Sequence, residues 1–350
     1  PPASLSKSKP EFAAWLKAHK DDVPWSTAVG LRRSALTKLA FLEKLRGFVW
    51  GGRLRYGLKY CGTHTRRWSG DGGLNVLTFP RRPLFGVDFR GLLVPRPGHV
   101  FISADYTAME AIALLWYVGD EEQLEFIRGG MDIYELHARR TMGYDRPEPL
   151  KALKDDPKFS DLRNFAKVRV LQLGYRCGAG TFRDIAASQY GVKLTEGQAR
   201  RAVKDYRDAN PLIVQEWENC EALMREHRGG DLLLETPCGD HLAYHNITVK
   251  GGLRCSTVRG NAPRLVHGGL ICENVIQHIG RAVLAPAVLR IEDAGLPVVL
   301  HVYDEVLVEV PESDADAALR TVIKLMEQRP AWCADMPLSA DGEIITKYKK

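Results

Sequence analysis

The 350-residue sequence contains no apolar run long enough to cross a membrane and no cysteine pair with metal-site spacing. A membrane-spanning helix needs about 18 or more apolar residues, so we expect no membrane partner. The seven cysteines are scattered, which is typical of reduced thiols and not of a disulfide framework or a zinc site. The sequence also lacks a recognisable signal peptide, internal repeats and low-complexity tracts, and we expect a cytosolic protein.

The composition is compatible with two or three folded lobes and with a nucleic-acid partner. The hydrophobic content of 45% is sufficient for a sizeable core. The chain has 49 Lys and Arg against 43 Asp and Glu, a net charge of +6 that many ordinary enzymes share. Because the first residue is Pro1 and not Met, we expect a processed chain or a fragment of a longer one.

Two adjacent carboxylates, Asp304 and Glu305, interrupt an apolar segment at residues 300–310 (LHVYDEVLVEV). This pattern predicts a β-hairpin with acids at its tip. A buried carboxylate pair is costly unless something cationic shares it, and hard divalent cations prefer oxygen ligands. The segment therefore fits a metal site, and it equally fits a polar turn between two core strands.

A second acidic segment joins a predicted strand to a predicted helix. Residues 98–104 (GHVFISA) predict a short buried strand that ends at Asp105, and residues 107–118 predict a largely buried helix. Thr107 or Asp105 is placed to cap this helix, so capping alone explains Asp105. Glu110 lies among apolar helix residues, where an acid needs a partner or a cavity.

A predicted helix at residues 161–175 carries four side chains at intervals of four residues. At about 100° per residue, this spacing keeps them near one face. Arg163 and Lys167 suit phosphates, whereas Leu171 and Tyr175 suit a sugar and a base. The alternative is a surface helix whose basic side chains extend into solvent.

Residues 53–82 are basic, glycine-containing and weakly periodic. Small residues let a backbone approach a ligand closely, and arginines contact phosphates. The arginines in question are Arg66, Arg67, Arg81 and Arg82. A surface loop with solvated arginines explains the same residues, so nucleic-acid contact is one of two interpretations.

Three further segments have a clear pattern. Residues 31–45 predict an amphipathic helix, and residues 232–247 predict a hairpin with its turn at residues 237–240. Residues 269–295 predict a long amphipathic helix that leads into the acidic hairpin, with its apolar positions facing a core.

Together these segments resemble the polymerase module of family A (DNA polymerase I-like) DNA polymerases, most closely the bacteriophage type. The order and spacing match from about residue 51 to the end. The matching motifs are THTRRWS with LNVLTFPR for primer contact, DYTAMEA (105–111) for the first palm motif, R-x3-K-x7-Y (163–175) for the fingers helix, ENVIQ (273–277) for the following helix and VYDEV (302–306) for the second palm motif. Each motif alone is weak, but their common order is specific.

The resemblance implies an α+β right-hand polymerase fold with an antiparallel palm sheet, helical fingers and a reduced or truncated helical thumb. The implied boundaries are 1–52 for a partial thumb or helical N-terminal segment, 53–119 for the first part of the palm with the primer-contact segment, 120–268 for the fingers and 269–350 for the second part of the palm.

The resemblance also implies template-directed addition of deoxynucleotides to a primer 3′ end by two-metal-ion phosphoryl transfer. Asp105, Asp304 and the backbone carbonyl of Tyr106 would hold two Mg²⁺ ions, with Mn²⁺ as a substitute. Lys167 would protonate pyrophosphate, because an ammonium can lose a proton whereas a guanidinium effectively cannot. Glu305 would have an auxiliary catalytic role.

Glu110 would act as a steric gate, lying where a ribose 2′-hydroxyl would go. The residues implied to bind the deoxynucleoside triphosphate are Tyr106, Glu110, Tyr134, Arg163, Lys167, Leu171 and Tyr175. The residues implied to bind primer–template DNA are Arg67, Asn75, Gln277 and Tyr303. Replication accessory proteins would be further partners, and the cytoplasm of a bacterium or of a phage-infected host would be the location.

Three positions depart from the usual family pattern in the site. Tyr303 replaces a His before Asp304, Tyr134 stands where many members have a phosphate-binding His, and Leu171 replaces a sugar-stacking aromatic residue. These departures leave the metal ligands in place but change the expected nucleotide affinity and sugar discrimination. Because no nuclease lobe precedes residue 51, the resemblance implies no proofreading in this chain.

Two other functions remain open at this point. A catalytically silent polymerase-like protein would only bind primer–template DNA, and a nuclease would use the same carboxylates on two metals. The intact Asp105, Asp304 and Lys167 argue against the first alternative. The helix face with cations and an aromatic residue has no obvious purpose in the second. Primer extension distinguishes the three functions.

Overall fold

The computed structural model describes residues 15, 18–19, 24–80, 83, 86–153 and 155–349. Arg81, Arg82 and most of residues 1–23 lie outside the described residues, so the interpretations that include them stay predictions. The chain divides into two compact units, Pro1–Lys59 with Gly70–Arg90 and Tyr60–Ser69 with Gly91–Lys350. The implied thumb, palm and fingers boundaries likewise stay predictions.

The described elements are short strands and longer helices, and seven α-helices follow one another between residues 109 and 226. The α-helices are α1 (Pro24–Gly47), α2 (Met109–Tyr117), α3 (Glu121–Arg128), α4 (Ile133–Thr141), α5 (Pro157–Leu173), α6 (Ala179–Tyr190), α7 (Glu196–Ala209), α8 (Pro211–Glu226), α9 (Gly268–Asp293) and α10 (Ala315–Met326). The strands are β1 (Val49–Trp50), β2 (Arg53–Leu54), β3 (Gly57–Lys59), β4 (Ser69–Asp71), β5 (His99–Tyr106), β6 (Leu232–Glu235), β7 (His241–Thr248), β8 (Arg254–Ser256), β9 (Arg264–Leu265), β10 (Val298–Val302), β11 (Glu305–Pro311) and β12 (Ala340–Ile345). No helix among the described residues is long and apolar enough to span a membrane.

In the first unit, α1 confirms a helix at residues 31–45, but Leu36 and Leu39 on the predicted apolar face are exposed. Its Phe41 packs against Phe79 and Phe89, with ring centroids 5.6 and 5.7 Å away. Asn75 begins the short 3-10 helix Val76–Thr78, and its side chain accepts a hydrogen bond from the Leu77 N–H at 3.1 Å. This is the ordinary N-cap use of asparagine.

A four-stranded antiparallel sheet, in the order β10-β11-β5-β12, is the framework of the second unit. Side chains alternate between the two faces of each strand. Ile102 and Ala104 are fully buried on one face of β5, whereas Ser103 and Asp105 lie on the other. This arrangement of helices with an antiparallel sheet confirms the predicted α+β class.

Helices α9 and α10 cover the buried side of this framework. The last helix, α10, packs on β5 and β12, and α9 packs against α2, α8 and α10. The apolar positions predicted to face a core in α9 are all buried, namely Ile271, Val275, Ile279, Val283 and Leu284. At the end of α10, the Met326 carbonyl accepts a hydrogen bond from the Tyr106 hydroxyl at 2.9 Å, which fixes the end of β5.

Helix α5 differs from its prediction at both ends. It begins at Pro157, because Asp156 caps it by accepting a hydrogen bond from the Lys158 N–H at 2.9 Å and proline is favourable in a first turn. It ends at Leu173, so Tyr175 lies in the turn after the helix and not on its face.

The predicted cap of α2 is wrong. Ala108 is the N-cap residue, it has a left-handed φ of 49°, and no side chain makes a capping hydrogen bond. Because Ala108 is the N-cap residue, N-capping of α2 does not explain the acid at the end of β5.

Gly268 is expected to be essential for the packing of α9 on α8. A Cβ at this position would overlap the carbonyl oxygen of Trp217, so Gly268→Ala must separate the two helices. We expect the free energy of unfolding to fall by about 3 kcal/mol in urea denaturation. Gly197→Ala in α7 is the matched control, because nothing lies within 4 Å of its added Cβ. Alanine's helix propensity should make that variant about 0.5–1 kcal/mol more stable, and equal values for the two variants would contradict the prediction.

Candidate active site

Strands β10 and β11 form a tight hairpin whose loop consists of Tyr303 and Asp304. Val302 and Glu305 are the closing pair of the ladder. Tyr303 has a left-handed φ of 60°, a conformation that costs a residue with a side chain about 1–2 kcal/mol. The predicted hairpin is therefore confirmed. Of its two acids, only Asp304 lies in the loop, because Glu305 already belongs to β11.

The hairpin brings Asp304 next to the end of β5. The Tyr106 N–H donates a hydrogen bond to the Asp304 carbonyl oxygen at 3.3 Å. Asp105 pairs directly with Glu305 across the ladder, and directly opposed residues project from the same face of a sheet. Three acidic residues, Asp105, Asp304 and Glu305, thus lie at one end of the sheet, from segments about 200 residues apart.

The two adjacent acids of the hairpin have different environments. Glu305 is 3% exposed, and its two carboxylate oxygens accept hydrogen bonds from Ser103 Oγ at 2.8 Å and Tyr348 Oη at 2.9 Å. Asp304 is only half-buried. Glu305 is consequently part of the internal structure, whereas Asp304 reaches the surface.

The donor set at this end of the sheet suits a hard cation. Asp105 and Asp304 supply carboxylate oxygens, and the side chain of Tyr106 is turned into the core, so that its backbone is what borders the site. Mg²⁺ takes oxygen ligands and usually keeps several water or phosphate oxygens, so one or two protein carboxylates are enough. Among the described residues, no group of three or more His, Cys, Asp and Glu side chains is arranged to hold a metal ion.

Arg67 connects the predicted steric gate to two predicted primer-contact residues. Its guanidinium forms an ion pair with Glu110 and donates from Nε to the Gln277 carbonyl oxygen at 3.4 Å. Its Cζ lies 5.4 Å from the ring centroid of Tyr303, within cation–π range. Arg67 therefore contacts predicted site residues from three other segments. Its guanidinium is the charged partner that Glu110 needs among its apolar neighbours.

Helix α5 presents two cations to Tyr134 on α4. Arg163 Cζ and Lys167 Nζ lie 5.2 and 5.8 Å from the Tyr134 ring centroid. Arg163 also pairs with Asp132 at 2.5 Å. Burial, followed by the charge of Asp132, raises the pKa of Tyr134 well above its usual value, so its phenol remains a hydrogen-bond donor at neutral pH. The charge of Asp304 makes a smaller contribution to the rise in the pKa of Tyr134.

The remaining predicted residues lie in three different environments. The Tyr175 hydroxyl is buried and has no hydrogen-bond partner among the described residues. Burial, followed by the charge of Glu110, raises the pKa of Tyr175. Leu171 is half-buried on α5. Asn75 belongs to the first unit, so its role in primer binding stays a prediction.

Sequence reasoning missed several residues of this region. Asp341 on β12 pairs with Asp105, and Tyr348 holds Glu305. Both come from the last strand and its continuation, where no motif marks them. Asp132 caps α4 by accepting a hydrogen bond from the Tyr134 N–H at 2.7 Å. An acid followed three residues later by Glu135 is a helix-start signal that could have identified this cap.

Comparison with known proteins assigns the family. A family model described as DNA polymerase family A matches residues 16–350. The chain belongs to DNA polymerase family A. This confirms the predicted resemblance, which rested on five short motifs.

Relatives of this family A chain include phage enzymes. It is 31% identical over 288 residues to the DNA polymerase of Bacillus phage SP02, covering 75% of this chain and 43% of that protein. It is 24% identical over 261 residues to the DNA polymerase of Mycobacterium phage D29, covering 73% and 36% of the two chains. The chain thus spans less than half the length of these relatives.

The fold also resembles a solved structure, the polymerase domain of Pol1 from M. smegmatis in complex with DNA primer–template and dNTP. The TM-score is 0.68 at 20% sequence identity, and the match covers 99% of this chain and 58% of that one. At this identity the likeness supports the fold of the family A chain.

His301 lies behind the hairpin loop and has an acid-sensitive environment. Its ring contacts Trp68 with centroids 4.4 Å apart. Burial lowers the pKa of His301 to about 4. In the unfolded chain the pKa is about 6.5, so unfolding takes up a proton between these two pH values. Stability is therefore lost as the pH falls from about 6.5 towards 4.

We expect His301 alone to lower the free energy of unfolding by about 1–2 kcal/mol between pH 7 and pH 5. Urea denaturation at both pH values measures this change. His301→Gln removes the proton uptake and should show a correspondingly smaller fall. The same substitution at the exposed His241 is the matched control and should behave like the parent chain. Identical pH dependence in the parent and His301→Gln would contradict the lowered pKa of His301 in the folded chain.

Proposed function

We propose that this chain is a template-directed DNA polymerase that adds deoxynucleotides to the 3′ end of a primer. The observation that supports this function best is the pairing of Asp105 with the Asp304 hairpin at one end of the sheet. Arg163 and Lys167 of α5 flank Tyr134 on α4. A carboxylate pair for metals and two cations for phosphates are the parts that nucleotidyl transfer needs.

The metal ligands would be Asp105, Asp304 and the backbone carbonyl of Tyr106, holding two Mg²⁺ ions or Mn²⁺ in their place. Bound there, the ions would activate the primer 3′-hydroxyl and neutralise charge on the triphosphate. Glu305 would act indirectly, because Ser103 and Tyr348 hold its carboxylate beside Asp105 in the sheet.

The cations of α5 would bind the triphosphate. Arg163 is paired with Asp132 at 2.5 Å, so binding would exchange one anionic partner for another. Lys167 would donate a proton to the leaving pyrophosphate, since its ammonium can lose one and the guanidinium of Arg163 cannot. Tyr134 would donate its phenolic hydrogen to a phosphate oxygen, because its raised pKa keeps it protonated. Leu171 and Tyr175 would pack against the sugar and the base.

Primer–template DNA would lie along Arg67, Gln277 and Tyr303, with Asn75 as a further contact. Hydrogen-bond acceptors in the minor groove are similar for all base pairs, so donors there sense pair geometry and not sequence. The M. smegmatis domain was solved with DNA primer–template and dNTP, which supports the same partners for this chain. Proteins that assist replication would be further partners.

This chain would not proofread, because the polymerase family match covers residues 16–350. The same sheet and helices would fit the right-hand arrangement of palm, fingers and thumb implied by the sequence.

The two acids of the hairpin are expected to differ in their effect on synthesis. Asp304→Asn removes a metal ligand and should reduce the rate of primer extension by about a thousand-fold or more. Glu305→Gln keeps the shape of an internal side chain and should reduce it by only about tenfold. Single-turnover primer extension with Mg²⁺ and dNTPs measures both rates.

Equal losses in the two variants would contradict the separate roles. A parent chain that binds primer–template DNA without extending it would identify the catalytically silent alternative. DNA degradation without incorporation would identify the nuclease.

Discrimination against ribonucleotides tests the role of Glu110. Glu110→Ala opens the space for a 2′-hydroxyl and should reduce selectivity for dNTPs over rNTPs by about tenfold or more, measured as the ratio of kcat/KM values. Glu110→Gln is the matched control, because it keeps the volume and removes the charge that pairs with Arg67. If the gate is steric, Glu110→Gln retains most of the selectivity. Equal losses in both variants would show that the ion pair, and not the volume, sets the discrimination.

A further inference from the structure

Cys238, His278 and Asp240 form a cluster of reactive groups outside the candidate active site. Cys238 lies in the loop between β6 and β7, and its Sγ is 3.1 Å from Nε2 of His278. Thr236 Oγ1 lies 3.2 Å from the same sulfur. His278 is fully buried on α9, and Oδ2 of Asp240 is 3.8 Å from its Nε2. The thiol sulfur and a carboxylate oxygen thus lie near the same imidazole nitrogen, Nε2 of His278.

The hydrogen-bond partners of His278 define its role. Its Nδ1 faces the carbonyl oxygen of Thr65 at 3.3 Å. Because a carbonyl only accepts, Nδ1 carries a hydrogen, and Nε2 is the nitrogen that exchanges a proton with Cys238. The pair is therefore either a thiol donating to a neutral imidazole or a thiolate accepting from an imidazolium. This is the arrangement that activates a cysteine nucleophile.

The environment of Cys238 differs from that of the other cysteines. Burial raises its pKa, but the contacts of the sulfur with His278, Thr236 and the Asp240 N–H outweigh this effect and lower the pKa to about 7. Burial raises the pKa of five other thiols, those of Cys177, Cys220, Cys255, Cys272 and Cys333. The thiolate is the reactive species, so Cys238 is expected to react before these five.

We propose that Cys238 is a nucleophilic thiol that small two-electron oxidants such as hydrogen peroxide convert to a sulfenic acid, and that this oxidation lowers DNA synthesis. The thiolate attacks one peroxide oxygen, so that an S–O bond forms as the O–O bond breaks. Sulfur loses two electrons, and the departing hydroxide takes the Nε2 proton of the His278 imidazolium and leaves as water. Thiols reduce this sulfenic acid back to cysteine.

Oxidation at Cys238 reaches the candidate active site through residues 65–67. The new oxygen adds volume beside the 3.1 Å contact between Sγ and Nε2, and we expect His278 or the loop to move in response. Arg66 is bound to this loop region, at 3.2 Å from Oδ1 of Asp240 and 3.1 Å from the His241 carbonyl oxygen. Arg66 precedes Arg67, which holds Glu110. This second half of the inference rests on the proposed polymerase function.

Alkylation kinetics test the reactivity without reference to polymerase activity. The full chain is treated with iodoacetamide at pH 7.5, and peptide mass mapping follows each cysteine. Cys238 should react about tenfold faster than Cys177, which is equally half-buried but has a raised pKa. His278→Gln removes the imidazole beside the sulfur and should slow Cys238, and an unchanged rate at Cys177 shows that this variant is folded. Equal rates at Cys238 and Cys177 in the parent chain would overturn the proposal.

Peroxide treatment tests the coupling to synthesis. Dimedone should trap a sulfenic acid at Cys238, and the parent should lose at least about half of its primer-extension rate and regain it with dithiothreitol. Cys238→Ser should extend primers normally and resist peroxide, whereas the control Cys177→Ser should respond like the parent. Rapid trapping at Cys238 with an unchanged extension rate would overturn the coupling. An untreated parent that extends no primer would contradict the proposed function, while the alkylation rates still decide whether Cys238 is activated.

Discussion

The register between β5 and β11 is the constraint on which the candidate active site depends. Because side chains alternate along a strand, a slip of one residue would move Asp105 to the opposite face of the sheet. The apolar face prevents this slip, since Ile102 and Ala104 are fully buried and the Tyr106 hydroxyl is bonded to the Met326 carbonyl. The stability of the core and the position of the acids are therefore set by the same contacts, on opposite faces of one sheet.

Two charged side chains of the candidate site are paired with opposite charges. Glu110 and Arg163 are each held by an oppositely charged partner, Arg67 and Asp132 respectively. Burial of single charges is costly, and these pairs let acids and cations occupy half-buried positions without a bound substrate. A charged substrate would then exchange partners with groups that are already oriented, so that little further ordering of side chains is needed on binding.

The sequence predicts the elements that carry the candidate site well where each element lies in one segment. The strand at Asp105, the hairpin at Asp304 and the long helix carrying Gln277 all follow from local periodicity, and their motifs carry the family. Contacts between distant segments could not be predicted in this way. The ion pair of Arg67 with Glu110, the anchoring of Glu305 by Tyr348 and the left-handed Ala108 depend on how separate elements pack, and no local pattern encodes them.

The order of strands in the sheet has a consequence for how the chain acquires its structure during synthesis. Strand β5 is paired on both sides with strands made much later, and Ser103 is separated by 202 residues from its partner Glu305. Until those residues leave the ribosome, β5 presents two open edges and an apolar face, which favour association with other chains. Pairing over such a distance also makes folding slow, so this central strand is where a nascent chain most needs protection.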